Sequence, residues 1–316
     1  MLYQKHNNTP PENLGKTAVL YGGVSSERDV SLKSGQAVLA ALLACGVQAQ
    51  GVDIGNNPVE QLHQLDVDRV FICLHGEGGE DGKIQALLDF LSLPYTGSAH
   101  AASALAMDKL RTKQVWMTRK LPTPCFDIAH AHTDWASMLE QLGGAVFVKP
   151  IHEGSSIGLS LAQTPDELKA AYIKAASLDD EVLIEQKITG AEYTVAILNG
   201  QVLPSVRVKS HADFYDYNAK YVTGNTEYFC PSGLSGAQET AIANLALDAF
   251  NAIGCSGWGR VDIMQDKNGD FYLLELNTSP GMTNSSLVPM AAKEAGLSFN
   301  ELVLEVLACT LSEKIC

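Results

Sequence analysis

From Thr17 onward the chain repeats one unit: a short apolar run, a glycine turn, then a segment with helical spacing. "TAVLYGG" (Thr17–Gly23) leads into "SLKSGQAVLAALLACG", and "DRVFICLHG" leads into "KIQALLDFLSL". Strands separated by helices pair in parallel and need helices over both faces of the sheet. Gly46 suits the stop of the first helix. A parallel α/β lobe follows, with its functional loops at the C-terminal ends of the strands.

The pattern changes near Asp108. "MDKLRTKQVWMTRKLPTP" reads as a helix closed by Pro122 and Pro124. "AVFVKP" and "IGLSLA" read as strands flanking a glycine-serine loop. The helix "TPDELKAAYIKAA" carries Thr164 as its cap and Pro165 in its first turn. "EVLIEQ" is a further strand. From Glu192 strands dominate, with an Asn199-Gly200 hairpin turn, before the helix "AQETAIANLALDAFNAIG". At 316 residues, two or three lobes are expected.

Composition narrows the function. With 46% hydrophobic and 18% charged residues the chain reads as soluble and globular. A net charge of -14 argues against a nucleic-acid binder, which needs clustered Lys and Arg. The polar start with Pro10 and Pro11 is neither a signal peptide nor an anchor. The longest apolar run, Ala37 to Cys45, is too short to cross a bilayer. Seven cysteines, an odd number without CxxC pairs, are expected as reduced thiols in a cytoplasmic protein.

"RVDIM" (Arg260–Met264) and "FYLLELN" (Phe271–Asn277) are two strands joined by "QDKNGD". A two-residue Asn268-Gly269 turn would set Lys267 opposite Asp270. Asp262 then faces Glu275, Arg260 faces Asn277, and all four side chains share one face. Opposed carboxylates repel. A hard divalent cation removes that penalty, and two carboxylates plus an amide oxygen suit magnesium, with phosphates completing its shell. The alternative is an ordinary exposed hairpin with surface acids.

"VKPIHEGSSIGLS" supplies other parts of a phosphate site. Lys149 ends a strand, and Glu153-Gly154-Ser155-Ser156 form a tight loop whose backbone N–H groups can approach phosphate oxygens. Glycine-serine hairpins are also common without a ligand. "GKT" at Gly15–Thr17 fails as a P-loop, since Pro10 replaces its first glycine and a strand follows. "HGEGGEDG" fails as a dinucleotide fingerprint, since Asp81 replaces its third glycine. That turn still faces a ligand region, where His75 is either a substrate contact or a satisfied turn histidine. Glu27, near a helix start, either caps it or holds an ammonium or hydroxyl. Lys209–Pro231, with four tyrosines and no core periodicity, is expected as a lid, Ser210 to Asn225 ordering on ligand binding and Lys220 and Tyr221 reaching the site.

Read together, "GGVSSERDVSLKSG", "LHGEGGEDG", "YTGS", "MDKL", "VKPIHEGSSIG", "FYDYNAKY", "GWGRVDIM" and "LLELNTSPGMTNSSLVPMAAK" closely resemble the D-alanine–D-alanine ligases of the ATP-grasp fold, in order from about Thr17 to Leu307. The resemblance implies an α/β (α+β) chain of three lobes. These are an N-terminal parallel α/β domain (17–107), a central domain (108–192) and a C-terminal catalytic domain (193–316), after a flexible extension (1–16). It further implies a cytoplasmic homodimer that binds ATP, D-alanine and magnesium or manganese, with no nucleic-acid or membrane partner. The product would be the dipeptide used for peptidoglycan, made through an acyl phosphate. D-Lactate or D-serine as second substrate, or a silent ATP-binding regulator on the same fold, are the rival readings.

The resemblance also assigns roles. Asp262, Glu275 and Asn277 match metal ligands, for two ions. Lys109 and Lys149 match phosphate-contacting lysines, with Glu153, Ser156 and Lys220 on the nucleotide side. Glu185, Gln186, Lys187 and Ile188 match the adenine hinge, and Glu192 the ribose contact. Arg260 matches the group that stabilises charge on the transferring phosphate and the tetrahedral oxygen. Glu27 matches the acid at the first ammonium and forms a trio with Ser155 and Tyr221. Ser286 and the Leu287 backbone match the binder of the second carboxylate, beside Gly281, with His75 across the pocket. Lys187, Asn218 and His100 depart from the usual pattern.

Overall fold

β1 (Thr17–Gly22) is the centre of a three-stranded parallel sheet, flanked by β2 (Ala49–Ile54) and β3 (Arg69–Ile72). The computed structural model describes residues 3–4, 9–210 and 226–311. β1 is buried on both faces, as its unbroken apolar run requires. α1 (Arg28–Ala44) returns over it, the short α2 (Pro58–His63) leads to β3, and α3 (Lys83–Phe90) follows the glycine turn after β3. The expected parallel lobe is therefore present.

α4 (His100–Met107) and α5 (Lys109–Thr118) lead into a second sheet, ordered β4–β7–β5–β6 and wholly antiparallel. Its strands are Phe126–Ala129 (β4), Val146–Pro150 (β5), Ser160–Ala162 (β6) and Val182–Gln186 (β7). α6 (Trp135–Gln141) and α7 (Pro165–Ala176) bury Met138, Leu139, Leu168 and Ala171 against it. Thr164 caps α7 in a reciprocal box with Glu167, as its sequence predicts.

The third sheet contains β8 (Gly190–Leu198), β9 (Gln201–Val202), β10 (Val206–Ser210), β11 (Thr226–Phe229), β12 (Trp258–Asp266) and β13 (Phe271–Asn277). β8 begins at Gly190, so the lobe boundary expected after Glu192 falls inside a strand. α8 (Gly236–Ile253) packs one face of this sheet. α9 (Leu287–Glu294) packs on β8 and β10, and α10 (Phe299–Ala308) on α1, so one apolar cluster joins Val19, Phe71, Trp258 and Leu302 across two lobes.

Two expectations are corrected here. Within the stretch expected as a flexible extension, the described residues are tied to the fold. Leu14 is fully buried, Pro11–Leu14 form a 3₁₀ turn, and Tyr3 N donates to Val202 O at 2.9 Å. The β12–β13 loop has three residues rather than two. Asp266 pairs with Asp270, Gly269 takes the left-handed conformation at φ 95°, and Lys267 does not face Asp270. That shift is undone further along, because Ile263 pairs with Leu273 while Asp262 pairs with Glu275. Leu274 is the extra residue of a bulge. It lets Leu273 and Leu276 both enter the core while Glu275 and Asn277 share the opposite face.

Candidate active site

Two cavities adjoin where the three sheets meet. The first, of about 350 Å³, opens between the turns after β1 and β3 and the loop after β13. Glu27, His75, Ser155, Arg260, Asn277 and Ser286 line it, with Gly281 and Leu287. The second, of about 410 Å³, lies between the second and third sheets. Lys149, Glu153, Ser156, Glu185–Ile188 and Glu192 line it. Lys109 and Glu275 border both cavities. Every expected site residue that the structure describes lines one of these spaces except Asp262, which lies just beneath. Lys220 and Tyr221 lie outside the described residues, and with them most of the expected lid.

Glu27 occupies the N-cap position of α1 without capping it. Its carboxylate instead accepts a hydrogen bond from Ser155 Oγ, which joins the first lobe to the second. The close approach depends on two glycines. A Cβ at Gly76 would lie 2.9 Å from Glu27 Oε2, and one at Gly154 2.7 Å. Ser155 and Ser156 have φ of 49° and 59°, a left-handed pair that costs energy in non-glycine residues. Consecutive N–H groups held this way form an anion-binding concavity.

Lys149 leaves β5 and meets Glu185 Oε1 at 2.8 Å. Lys109, at the start of α5, donates to Glu153 O at 2.7 Å and lies 4.0 Å from Glu275. Arg207 and Lys209 of β10 also border the second cavity and were not anticipated. Their period-two spacing in "VRVKS" was the available signal.

Arg260 and Asp262 share a face of β12 and form a two-pronged pair, Nε to Oδ1 at 2.8 Å and Nη2 to Oδ2 at 2.7 Å. Thr194 Oγ1 donates to Asp262 at 2.6 Å and Asn277 Nδ2 at 3.1 Å. Asp262, only 8% exposed, is thus fully compensated. Asp262, Glu275 and Asn277 present hard oxygen donors from adjacent strands, the donor set a divalent magnesium or manganese ion accepts. Among the described residues no three His, Cys, Asp or Glu side chains converge. An ion here would draw the rest of its shell from phosphate.

Glu80 was missed by the sequence reading. Its carboxyl is buried, accepting from Gly76 N at 2.8 Å and Ser279 N at 3.3 Å. Burial, reinforced by the charge of Glu27, pushes its pKa up to about 8. His75, 6% exposed, lies 3.4 Å from Ser34 Oγ and also meets the Ser279 backbone; burial lowers its pKa. The turn "HGEGGE" therefore grips the loop after Asn277 from two sides. His75 is a held turn histidine, and it also lines the first cavity.

The carboxyl of Glu80 has a stability consequence. Folding raises its pKa, so the folded chain holds a proton that the unfolded chain releases in the ordinary carboxylate range. The stabilisation is complete below that range and is lost as pH rises towards about 8. Glu80→Gln cannot titrate, and its melting temperature is expected to fall less than that of the wild type between pH 5 and 8. Parallel melting curves for the two proteins would refute the shift.

A family model described as the D-ala D-ala ligase C-terminus matches residues 121–308, and one described as the D-ala D-ala ligase N-terminus matches residues 49–98. The chain belongs to the D-alanine–D-alanine ligase family. The D-alanine–D-alanine ligase of Saccharophagus degradans is 59% identical over 298 residues, covering 94% of this chain and 95% of that one. That of Pseudoalteromonas atlantica is 54% identical over 298 residues, covering 93% and 94%. Among solved structures, the D-alanine–D-alanine ligase of Bacillus anthracis complexed with ATP matches with TM-score 0.82 and 31% identity, over 94% of this chain and 97% of that one. The VanG D-Ala:D-Ser ligase of Enterococcus faecalis matches with TM-score 0.82 and 28% identity, over 93% and 99%. The fold is that of the ATP-grasp ligases, as the sequence motifs imply.

Proposed function

We propose that this protein joins two D-alanine molecules into D-alanyl-D-alanine, with ATP cleaved to ADP and phosphate, for peptidoglycan precursor synthesis. The observation that carries the reading is the junction of two cavities at Lys109 and Glu275, in a chain of this family. The second cavity takes ATP, with adenine against Glu185–Ile188 and ribose at Glu192. The first takes the amino acids.

Glu27 holds the ammonium of the first D-alanine, orienting its carboxylate towards the junction. A carboxylate oxygen forms a bond to the γ-phosphorus as the bond to ADP breaks, giving an acyl phosphate. Both partners are anionic, so positioning and charge neutralisation by Lys109, Lys149 and the serine loop dominate the rate. Ser286 and the Leu287 N–H, at the amino end of α9, hold the carboxylate of the second D-alanine. Its amine attacks the acyl carbon, phosphate departs, and Arg260 stabilises the charge on the tetrahedral oxygen. Asp262, Glu275 and Asn277 would hold magnesium or manganese ions, which supply charge neutralisation on the phosphates.

This reading carries with it a cytoplasmic homodimer. No helix among the described residues is long and apolar enough to cross a membrane. A silent regulator is disfavoured because the chain keeps Arg260 and the three side chains Asp262, Glu275 and Asn277 that would hold a metal. Phosphate release from ATP, measured across D- and L-amino and hydroxy acids, tests the activity. With D-alanine and D-lactate competing equally, D-alanyl-D-alanine is expected as the main product from about pH 7 to 9. Its share should rise with pH as the attacking amine loses its proton. Mainly depsipeptide, or a D-alanyl-D-serine preference as the name of the VanG D-Ala:D-Ser ligase implies for that enzyme, would overturn the substrate assignment.

A further inference from the structure

Behind the wall of the second cavity, one carboxylate meets two ammonium groups. Lys113 of α5 is fully buried, pairs with Glu185 of β7, and donates to Thr123 Oγ1 at 2.6 Å. Thr123 Oγ1 in turn donates a hydrogen bond to Leu273 O at 2.8 Å, and the Lys113 ammonium lies 5.6 Å from the Phe126 ring centroid. Glu185, 2% exposed, also takes Lys149 Nζ at 2.8 Å. Lys149 lines the cavity and Lys113 does not.

The count of charges gives this arrangement its meaning. Lys149 and Glu185 alone would make a closed, neutral pair at the place where phosphate charge must be met. A second ammonium behind Glu185 leaves the group of three with one net positive charge, which reaches the cavity through Lys149 and Glu185 but not through Lys113. We propose that Lys113 is a positioning residue for the nucleotide: from behind the wall it neutralises Glu185 and so keeps the charge of Lys149 directed at the phosphates. This rests on the ATP reading of the second cavity.

The same burial makes the device titratable. Removal from water lowers the Lys113 pKa to about 8; Lys149 pushes the same way, while Glu185 and, from β13, Glu275 oppose it. Burial alone would raise Glu185, but the two ammoniums outweigh it and hold its carboxyl below the ordinary range. A bound phosphate strengthens the hold of Lys113 on its proton. By reciprocity, nucleotide binds less tightly once that proton has left.

The test is titration calorimetry of ADP at saturating magnesium, from about pH 7 to 9.5, on the full chain and on Lys113→Met. Wild-type affinity is expected to stay level to about pH 8 and then fall about tenfold, as for loss of one nearby charge. Lys113→Met should bind about tenfold more weakly at pH 7, with no further fall as pH rises and an unchanged KM for D-alanine. A variant that is merely loosened would keep the wild-type pH dependence, and that result overturns the proposal. So does a level wild-type profile, which decides the matter even if the variant does not fold. Absence of ADP binding to the wild type at every pH would instead overturn the ATP reading, and this inference with it.

Discussion

Glu275→Gln is expected to lower turnover by on the order of a hundredfold or more, while the melting temperature stays within about 3 °C of the wild type. Glu275 borders both cavities and lies 4.0 Å from Lys109, so its charge sits where the transferring phosphate must pass. The amide keeps shape and volume and removes only the charge that a divalent ion would need. The loss should persist when magnesium is raised to saturation, because the site then lacks a ligand rather than an ion. Near-normal rates under those conditions would falsify the metal assignment. Initial-rate phosphate release and thermal unfolding of the same preparation separate the two effects.

Arg260→Lys should be worse, by roughly a thousandfold in kcat, the scale of a lost arginine at a phosphoryl-transfer centre. Lysine keeps the positive charge, so a small loss would mean that charge alone suffices. The geometry argues otherwise. Arg260 engages both oxygens of Asp262 through two nitrogens, at 2.8 and 2.7 Å, and a single ammonium cannot reproduce that fork. Asp262 still accepts from Thr194 and Asn277 in the variant, so the fold should survive. A kcat within tenfold of the wild type, with KM unchanged, would remove Arg260 from its assigned role.

What could be read from the sequence depended on whether a residue's environment is set locally. β1, α1, β3 and α3 carry their own apolar periods, and the structure forms each of them. The facing of Asp262 and Glu275 was anticipated correctly although the turn beyond them was not, since the longer loop and the Leu274 bulge displace the strands oppositely. Glu80 and Lys113 could not be found this way. A glutamate in a glycine-rich turn and a lysine in a charged helix read as solvated, and only partners distant in sequence, Ser279 for Glu80 and Glu185 for Lys113, take them from water. Leu14 was hidden likewise, as a lone apolar residue in a polar stretch that docks on a distant helix.

The bulge at Leu274 also divides the changes that this strand can absorb. Side-chain exchange at 274 leaves the alternation of its neighbours intact. Loss of Leu274 leaves it intact too, since Leu273 and Glu275 would then be neighbours on opposite faces, across from Ile263 and Asp262. Loss of a residue beyond the bulge does not: without Leu276, Asn277 would turn towards the core. For β13, then, the number of residues is held beyond the bulge and free at it, and homologues one residue shorter at 274 should still turn Glu275 and Asn277 to the cavity face.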